Sequence, residues 1–281
     1  MDIAYPDTFP SKRAVLRALC SSQVGKTELT ACYATAPLKV AKPFREAATS
    51  GLILYVMDVS PGLLEGDHYD IAVTLERDAR LVLTNQSFTK VHPSGQLTSI
   101  IEQRFTIGPD AVLEFMPEPA IPYANSRFES VTSFHLAKGA VLMFGDIWTP
   151  GRTRRGERFA FHSVSNRLEI YRGESLIGWD HFRLEPGRDV GGSLGAMEHY
   201  THQASFWLFH EGAGLEAMLD RIRLLLPAGD ELLAGASLHA HGGLVVRMLG
   251  MNVWQLQLLL NRIWAECRSS LWGLPPCSLR K

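Results

Sequence analysis

Residues 108–115 read Gly108-Pro109-Asp110-Ala111-Val112-Leu113-Glu114-Phe115, a turn followed by an alanine and alternating large residues. Two further stretches share this order of residue types, Arg77-Asp78-Ala79-Arg80-Leu81-Val82-Leu83 and Lys138-Gly139-Ala140-Val141-Leu142-Met143-Phe144. Their alanines, at 79, 111 and 140, are spaced by 32 and 29 residues, a period typical of stacked repeat architectures. The pattern favours layered strands, solenoid-like or sandwich-like, with ordinary hairpins that share turn chemistry as the alternative.

Strand-like patterns surround this repeat and give way to helical patterns near the C-terminus. Between Ile71 and about Leu184, short apolar-alternating runs are separated by turn residues about every 8 to 12 positions. Helical spacing predicts one helix over 214–226 and a second starting at the N-cap candidate Asn252, with a strand over 243–250 between them. No long linker interrupts the chain, so we expect one domain over 1–281: a strand-rich body at 1–210 and a helix-strand-helix portion at 211–281.

Composition narrows the class of protein. The chain has 281 residues, of which 46% are hydrophobic and 20% charged, as in ordinary globular proteins. A net charge of -1 gives no broad basic field, so neither nucleic acid nor a membrane is expected as a partner. The N-terminal residues lack a signal-peptide pattern, and the four cysteines form no CxxC pair or zinc-type cluster. We therefore expect a cytoplasmic protein.

Two short motifs have both a chemical and a plainer interpretation. Gly25-Lys26-Thr27 is similar to the end of a phosphate-binding P-loop, but the first glycine of that pattern would fall at Cys20. His239 and His241 would place two imidazoles on one face of a strand, which is half of a transition-metal site. Alternate histidines on an exposed strand are commoner than metal sites, so we predict no stable metal site there.

A third motif suggests an enzyme. Gly191-Gly192-Ser193-Leu194-Gly195 matches the G-x-S-x-G elbow that presents a serine nucleophile. The residues before it are loop-like, and residues 204–209 after it predict a strand instead of the required helix. A surface loop is the simpler interpretation, and a serine hydrolase centred on Ser193 is the alternative function.

Three acids have suggestive settings. Asp67 follows Gly66 at the edge of a strand-like run, whereas Asp146 and Asp180 interrupt apolar sequence. An isolated buried charge is costly, so such a carboxylate either faces water at a strand end or is buried with a partner. Carboxylate oxygens hold a divalent cation loosely, whereas imidazole and thiolate hold a borderline metal such as nickel more firmly.

Several segments, in chain order, resemble the family of the urease accessory protein UreD, called UreH in some bacteria. The most specific is Phe115-Met116-Pro117-Glu118-Pro119-Ala120-Ile121-Pro122-Tyr123, which is similar to the family's PEP-x-IP-aromatic signature. The others lie at 36–44, 62–67, 83–91, 145–159, 183–187 and 243–250. The motif positions that we expect to be structural are Pro117, Glu118, Pro119, Pro122, Glu157 and Arg247.

The resemblance implies a fold and a function. The fold would be mainly β, a layered β-helix-like stack of short strands with two α-helices in the C-terminal third. UreD-type proteins are not enzymes: they bind UreF, the GTPase UreG and apo-urease, and help to pass nickel to the urease active site. Ni²⁺ would be cargo in transit and no cofactor would be tightly bound, since GTP belongs to UreG.

The resemblance also implies a tunnel for nickel inside the protein. By position, Asp67, Asp146 and Asp180 would line or flank that tunnel, with Thr89 and Lys90 nearby. Weak, successive oxygen sites suit transit, because a cluster of several histidines would slow release of the metal. These five residues are therefore the expected transit residues.

Overall fold

The computed structural model describes residues 13–187 and 197–279. Short strands make up about half of these residues, and the α-helices follow near the C-terminus. In chain order the strands are β1 Arg13–Gln23, β2 Lys26–Ala34, β3 Leu38–Val40, β4 Phe44–Arg45, β5 Leu52–Asp58, β6 His68–Leu75, β7 Arg80–Asn85, β8 Thr89–Val91, β9 Ser99–Ile107, β10 Val112–Phe115, β11 Ala120–Pro122, β12 Arg127–Leu136, β13 Val141–Trp148, β14 Ser163–Arg172, β15 Ser175–Leu184, β16 His202–Phe209, β17 Leu232–His239 and β18 Gly243–Gly250. The α-helices are α1 Leu215–Leu225 and α2 Val253–Trp272.

The strands form two facing sheets with an apolar core between them. Sheet A has the order β15-β14-β12-β9-β6-β1-β2, and sheet B has the order β17-β18-β16-β13-β10-β7-β5-β3. From β6 to β14 the chain passes back and forth between the sheets, so that each coil stacks in parallel on the preceding one. Antiparallel strands cover both ends of the stack. The expected β-helix-like stack is confirmed.

The sequence repeat forms the sharp corner of each coil. In all three copies the alanine is buried, and its N–H bonds to the carbonyl three residues earlier at 3.1–3.2 Å. The residue before each alanine has a left-handed backbone, which Asp and Gly tolerate: φ is 59° at Asp78, 59° at Asp110 and 74° at Gly139. Val112 pairs with Arg80 on one side and with Val141 on the other. The three copies are therefore consecutive layers of a solenoid.

Both predicted helices are confirmed, and both pack on the outer face of sheet B. The buried side of α1 includes Met218 and Ile222, and that of α2 includes Leu256 and Ile263, within one apolar cluster. Asn252 precedes α2 as expected, but its side chain bonds to Gln255 Oε1 at 3.3 Å instead of capping the backbone. The helices thus leave the interior between the sheets to side chains from the strands.

The C-terminal portion contains one strand more than predicted. β17 lies between α1 and β18 and pairs antiparallel with β18. The predicted helix-strand-helix order omitted this strand and was wrong on that point. His239 is the last residue of β17, whereas His241 lies in the following turn. The two imidazoles therefore do not share a strand face, although their ring centroids are 5.8 Å apart.

The P-loop-like motif forms a hairpin. Val24 and Gly25, with φ of 50° and 72°, make the turn between β1 and β2. Lys26 begins a strand and not a helix, and the Thr27 hydroxyl accepts the Arg80 N–H at 2.8 Å. The motif therefore lacks the loop-to-helix geometry of a phosphate site. In the part of the chain that the structure describes, no helix is long and apolar enough to cross a membrane.

Candidate functional site

The space between the sheets has an aromatic half. Phe105 and Phe134 of sheet A stack with ring centroids 4.9 Å apart, and Phe115 and Phe144 of sheet B lie 5.6 Å apart. Contacts of 4.9 and 5.1 Å join the two pairs across the sheets. All four side chains are buried, so this half excludes water and stabilises the stack through apolar burial.

The other half of the same space is polar. Side chains alternate between the two faces of a strand, so every second residue points between the sheets. On several strands these inward positions hold buried apolar residues at one end and polar residues at the other. Since neighbouring strands lie about 4.8 Å apart, these residues are spaced along the solenoid axis. We call this set the interior polar row: Asn85, Gln103, Ser130, Thr132, Asp146, Asn166, Asp180, Ser205 and Arg247.

The row differs from the aromatic half in solvent access. Gln103, Asp146 and Asn166 remain partly exposed, although they point between the sheets. Phe105 and Phe134, only two strand positions away from polar members of the row, are 0% exposed. An unpaired polar group in a dry interior costs about 1–3 kcal/mol. Partial hydration and mutual hydrogen bonding together explain how this core accommodates the row.

A cavity of about 90 Å³ lies at the N-terminal end of the row. On its wall, the Asp58 carboxylate accepts hydrogen bonds from the Ser60 hydroxyl at 2.5 Å and the Tyr69 hydroxyl at 3.0 Å. Burial, reinforced by the Asp58 charge, raises the pKa of Tyr69, so its hydroxyl stays protonated. Asn85 also lines the cavity, and its Oδ1 is buried with no hydrogen-bond partner among the described residues. The cavity therefore contains several oxygen atoms suited to water or a hydrated cation.

Three of the expected transit residues lie near this end. Thr89 and Lys90 line the cavity. Asp67 lies in the turn before β6, where its Oδ2 accepts the Leu64 N–H at 2.8 Å. Its charge contributes to the raised pKa of Tyr69, but among the described residues Asp67 does not line the cavity. The structure thus places Asp67 beside the row and gives it a visible role in the turn.

The middle of the row is made of neutral side chains. Gln103 Nε2 donates to the Thr132 hydroxyl at 3.1 Å, and the two residues are in register on β9 and β12. Ser130 and Thr132 are buried, and Ser130 is in register with Asn166 on β14. These hydroxyl and amide groups connect the cavity to the acidic end of the row.

Asp146 is the main acid of the row. In the described residues its carboxylate accepts hydrogen bonds from the Ser205 hydroxyl at 2.6 Å, the Asn166 amide at 2.9 Å and the Trp148 indole at 3.0 Å. Burial raises the pKa of Asp146, the Asp180 charge raises it further, and the three donors oppose this shift. All three donors are neutral, so the negative charge of Asp146 is bonded but not neutralised.

Asp180 and Arg247 form the C-terminal end of the row. Arg247 Nη1 donates to Asp180 Oδ2 at 2.9 Å. Arg247 lies on β18 in register with Ser205, which is itself in register with Asp146. The structure thus brings Asp146, Asp180 and Arg247 together, whereas the resemblance implied separate roles for two transit acids and one structural arginine.

The PEP segment passes beside both the cavity and α2. Pro117 lines the cavity, and the Pro119 carbonyl accepts the Thr89 N–H at 3.0 Å. The Glu118 carboxylate accepts a hydrogen bond from Gln257 on α2 at 3.2 Å. This segment therefore connects the wall of the row to the helical layer.

The remaining motif positions stabilise a loop. Pro122 ends β11 and pairs with Val91 of β8. Glu157 accepts hydrogen bonds from Arg152 Nε at 2.7 Å and from the Ala124 N–H at 3.1 Å. The Arg152 guanidinium lowers the pKa of Glu157, so this carboxylate stays charged in its ion pair.

The sequence suggested two chemical alternatives, a serine nucleophile and a metal site. The serine motif at 191–195 lies outside the described residues. Across residues 13–187 and 197–279, no three or more His, Cys, Asp or Glu side chains converge in a way that could hold a metal ion. Asp146, with its partners Asn166 and Ser205 and its neighbour Asp180, therefore carries the distinctive chemistry of the described chain.

Sequence reasoning missed the neutral members of the row. Ser130 and Thr132 lie in phase with Phe128 and Phe134 on one strand, so each occupies a position where alternation calls for an apolar residue. This polar interruption of the inward phase was a visible signal. Asn85 carries a similar signal, since it continues the phase of Leu81 and Leu83.

Comparisons with known proteins identify the family of this chain. The family model described as UreD urease accessory protein matches residues 12–281. A protein named urease accessory protein UreD from Acetivibrio thermocellus is 36% identical over 251 residues, covering 89% of this chain and 95% of that protein. Proteins of the same name from Halalkalibacterium halodurans and Bacillus sp. are 30% and 29% identical, covering 87% and 95% of this chain and 90% and 98% of their own lengths. The chain belongs to the UreD urease accessory protein family.

Proposed function

We propose that this protein is a nickel-delivery scaffold of urease assembly and that Ni²⁺ passes along the interior polar row. The observation that carries the proposal is a file of oxygen-bearing side chains, several of them partly exposed, through an otherwise apolar stack. Such ligands bind a borderline metal more weakly than imidazole or thiolate does. Weak, successive contacts favour passage over storage.

The same proposal includes partners. Membership of the family supports a role in urease maturation, and we infer that the chain binds UreF, UreG and apo-urease in the cytoplasm. GTP would be bound by UreG, and this chain would act as a scaffold and not as a catalyst. Nickel is cargo in this scheme.

Complex formation is tested first. The full chain is co-expressed with UreF and UreG, and the mixture is separated by size-exclusion chromatography with and without apo-urease and nickel. We expect the chain to elute together with UreF. A folded, monodisperse chain that elutes apart from UreF would overturn the partner assignment.

Transit is tested with the acids of the row. Asp146→Asn and Asp180→Asn should reduce urease activation severalfold at limiting nickel, while the complex still forms, because each removes a negative charge from the path. Asp70→Asn is the matched control, since Asp70 lies on the outer face of sheet A, paired with Arg13 and Arg17 at 2.6 and 2.7 Å. Normal activation by both row variants would overturn transit along this path.

A further inference from the structure

The acidic end of the interior polar row already holds a cation of its own. Arg247 Nη1 lies 2.9 Å from Asp180 Oδ2, and the two side chains are 48% and 24% exposed. Asp180 in turn acts on Asp146 through its charge. Arg247 thus offsets the charge of Asp180, the acid that lies beside Asp146.

Arg247 also has a second favourable contact. Its guanidinium carbon is 5.4 Å from the centroid of the Trp207 ring, within the range of a cation–π interaction. Trp207 is buried and fixed, because its indole N–H donates to the Ser205 hydroxyl at 3.1 Å. The guanidinium therefore retains a partner on β16 when it separates from Asp180.

We propose that Arg247 is a tethered counter-charge that gates the C-terminal end of the row, an inference that rests on the transit function proposed above. In the resting protein, Arg247 is ion-paired with Asp180, so this end of the row binds little Ni²⁺. A dication that reaches the end of the row displaces the guanidinium from the carboxylate, and Arg247 returns when the ion leaves.

The physical basis is competition between two cations for one carboxylate. A partly exposed Arg–Asp pair contributes little to stability, so its separation is easily reversible. Guanidinium remains protonated in proteins and has no free lone pair for a metal. Arg247 is therefore a positioning residue that acts through Asp180 and does not ligate the metal.

A second ion pair provides a control of similar exposure. Arg167 and Glu169 are 3.1 Å apart on β14, with Arg167 45% exposed. Their strand positions alternate with those of Asn166 and Leu168, so they lie on the outer face of sheet A, away from the row. Loss of Arg167 removes the same charge from the protein without opening the row.

The test is equilibrium dialysis of the purified full chain against NiCl₂, with bound nickel measured by atomic absorption. Arg247→Gln should bind Ni²⁺ on the order of tenfold more tightly than the unmodified chain, because a positive charge beside the carboxylates is removed. Arg247→Lys, which keeps the charge, and Arg167→Gln should bind as the unmodified chain does. Adding Asp180→Asn to Arg247→Gln should abolish the gain.

Three results would overturn the gate: equal affinity of Arg247→Gln and the unmodified chain, an equal gain in Arg167→Gln, or a gain that survives Asp180→Asn. Should Arg247→Gln fail to fold, Arg247→Lys and the single Asp180→Asn variant test the same point: tighter binding by either one contradicts the proposal. Dialysis requires no urease, so its result is independent of the activation assay. Normal activation by both Asp146→Asn and Asp180→Asn, together with tighter binding by Arg247→Gln, would overturn transit and retain the masking of Asp180.

Discussion

The two faces of sheet B each carry a poorly accessible carboxylate, and the two are held in opposite ways. On the outer face, Glu114 is buried beneath α2, where Arg268 Nη1 contacts both carboxylate oxygens at 2.7 and 2.8 Å and Trp264 donates at 2.5 Å. On the inner face, Asp146 receives its hydrogen bonds from neutral groups. Burial raises the pKa of both carboxyls; Arg268 opposes that shift at Glu114, whereas the Asp180 charge adds to it at Asp146.

The difference separates an acid whose charge is paired with a cation from one whose charge is not. A buried carboxylate that contacts a buried arginine is neutralised, and it fixes the position of the helix that carries the arginine. A carboxylate with neutral donors and a second acid nearby retains a negative potential. Because this potential faces a partly hydrated row, it attracts cations that reach the interior.

The outer pair gives the largest expected effect. Glu114→Gln removes the bidentate partner of Arg268, which is 0% exposed and keeps Glu46 at 3.3 Å, and the free energy of unfolding should fall by about 3 kcal/mol. Urea unfolding followed by circular dichroism measures the change. Glu169→Gln, which breaks an ion pair on the outer face of sheet A, is the control and should lose less than about 1 kcal/mol. Similar losses in both variants would show that Glu114 is no special anchor of α2.

A second prediction separates the two halves of the core along one strand. Phe134→Leu removes an aromatic ring from the dry half of the core. It should lower the free energy of unfolding by about 1–2 kcal/mol without changing urease activation. Thr132→Val, two positions earlier, keeps the volume but removes the hydroxyl that accepts the Gln103 amide. It should impair activation at limiting nickel more than it affects stability. If both variants behave alike in both assays, the halves are not distinct in function.

The sequence predicts the layers of this fold better than its interior. Ala79, Ala111 and Ala140, each after a left-handed residue, identify three consecutive corners because turn chemistry is local. The polar row depends on which coils align, and local alternation does not give that register. The contact between Glu114 and Arg268 spans 154 residues, and no local pattern predicts it.

The acids show the same division. Asp146 and Asp180 were recognisable as polar interruptions of apolar sequence, but their connection through Arg247 required the fold. Asp67 was singled out by its family motif, but the structure places it in a turn where it accepts a backbone N–H. β17 was missed because its small residues, such as Ala234 and Gly235, give little apolar alternation.

The smallest expected effect is the most direct test of how Asp146 is held. In Asp146→Asn the amide oxygen can accept from Trp148 and Asn166, and the amide NH₂ can donate to the Ser205 hydroxyl, which also serves as an acceptor. The free energy of unfolding at pH 7 should therefore change by no more than about 1 kcal/mol. The pH dependence of the free energy of unfolding shows how the Asp146 carboxyl is held.

Burial holds the pKa of Asp146 above its ordinary value of 3.8. Above that pH the unfolded chain releases a proton that the folded chain still binds, so the unmodified protein loses stability as the pH rises through this window. Asn does not titrate, so Asp146→Asn should gain stability relative to the unmodified chain as the pH rises above about 4. Urea unfolding at several pH values measures the difference in the free energy of unfolding between the variant and the unmodified chain. The opposite slope would mean that a cation neutralises Asp146 in the folded protein, so that the inner acid is paired as Glu114 is, and the contrast between the two faces would disappear.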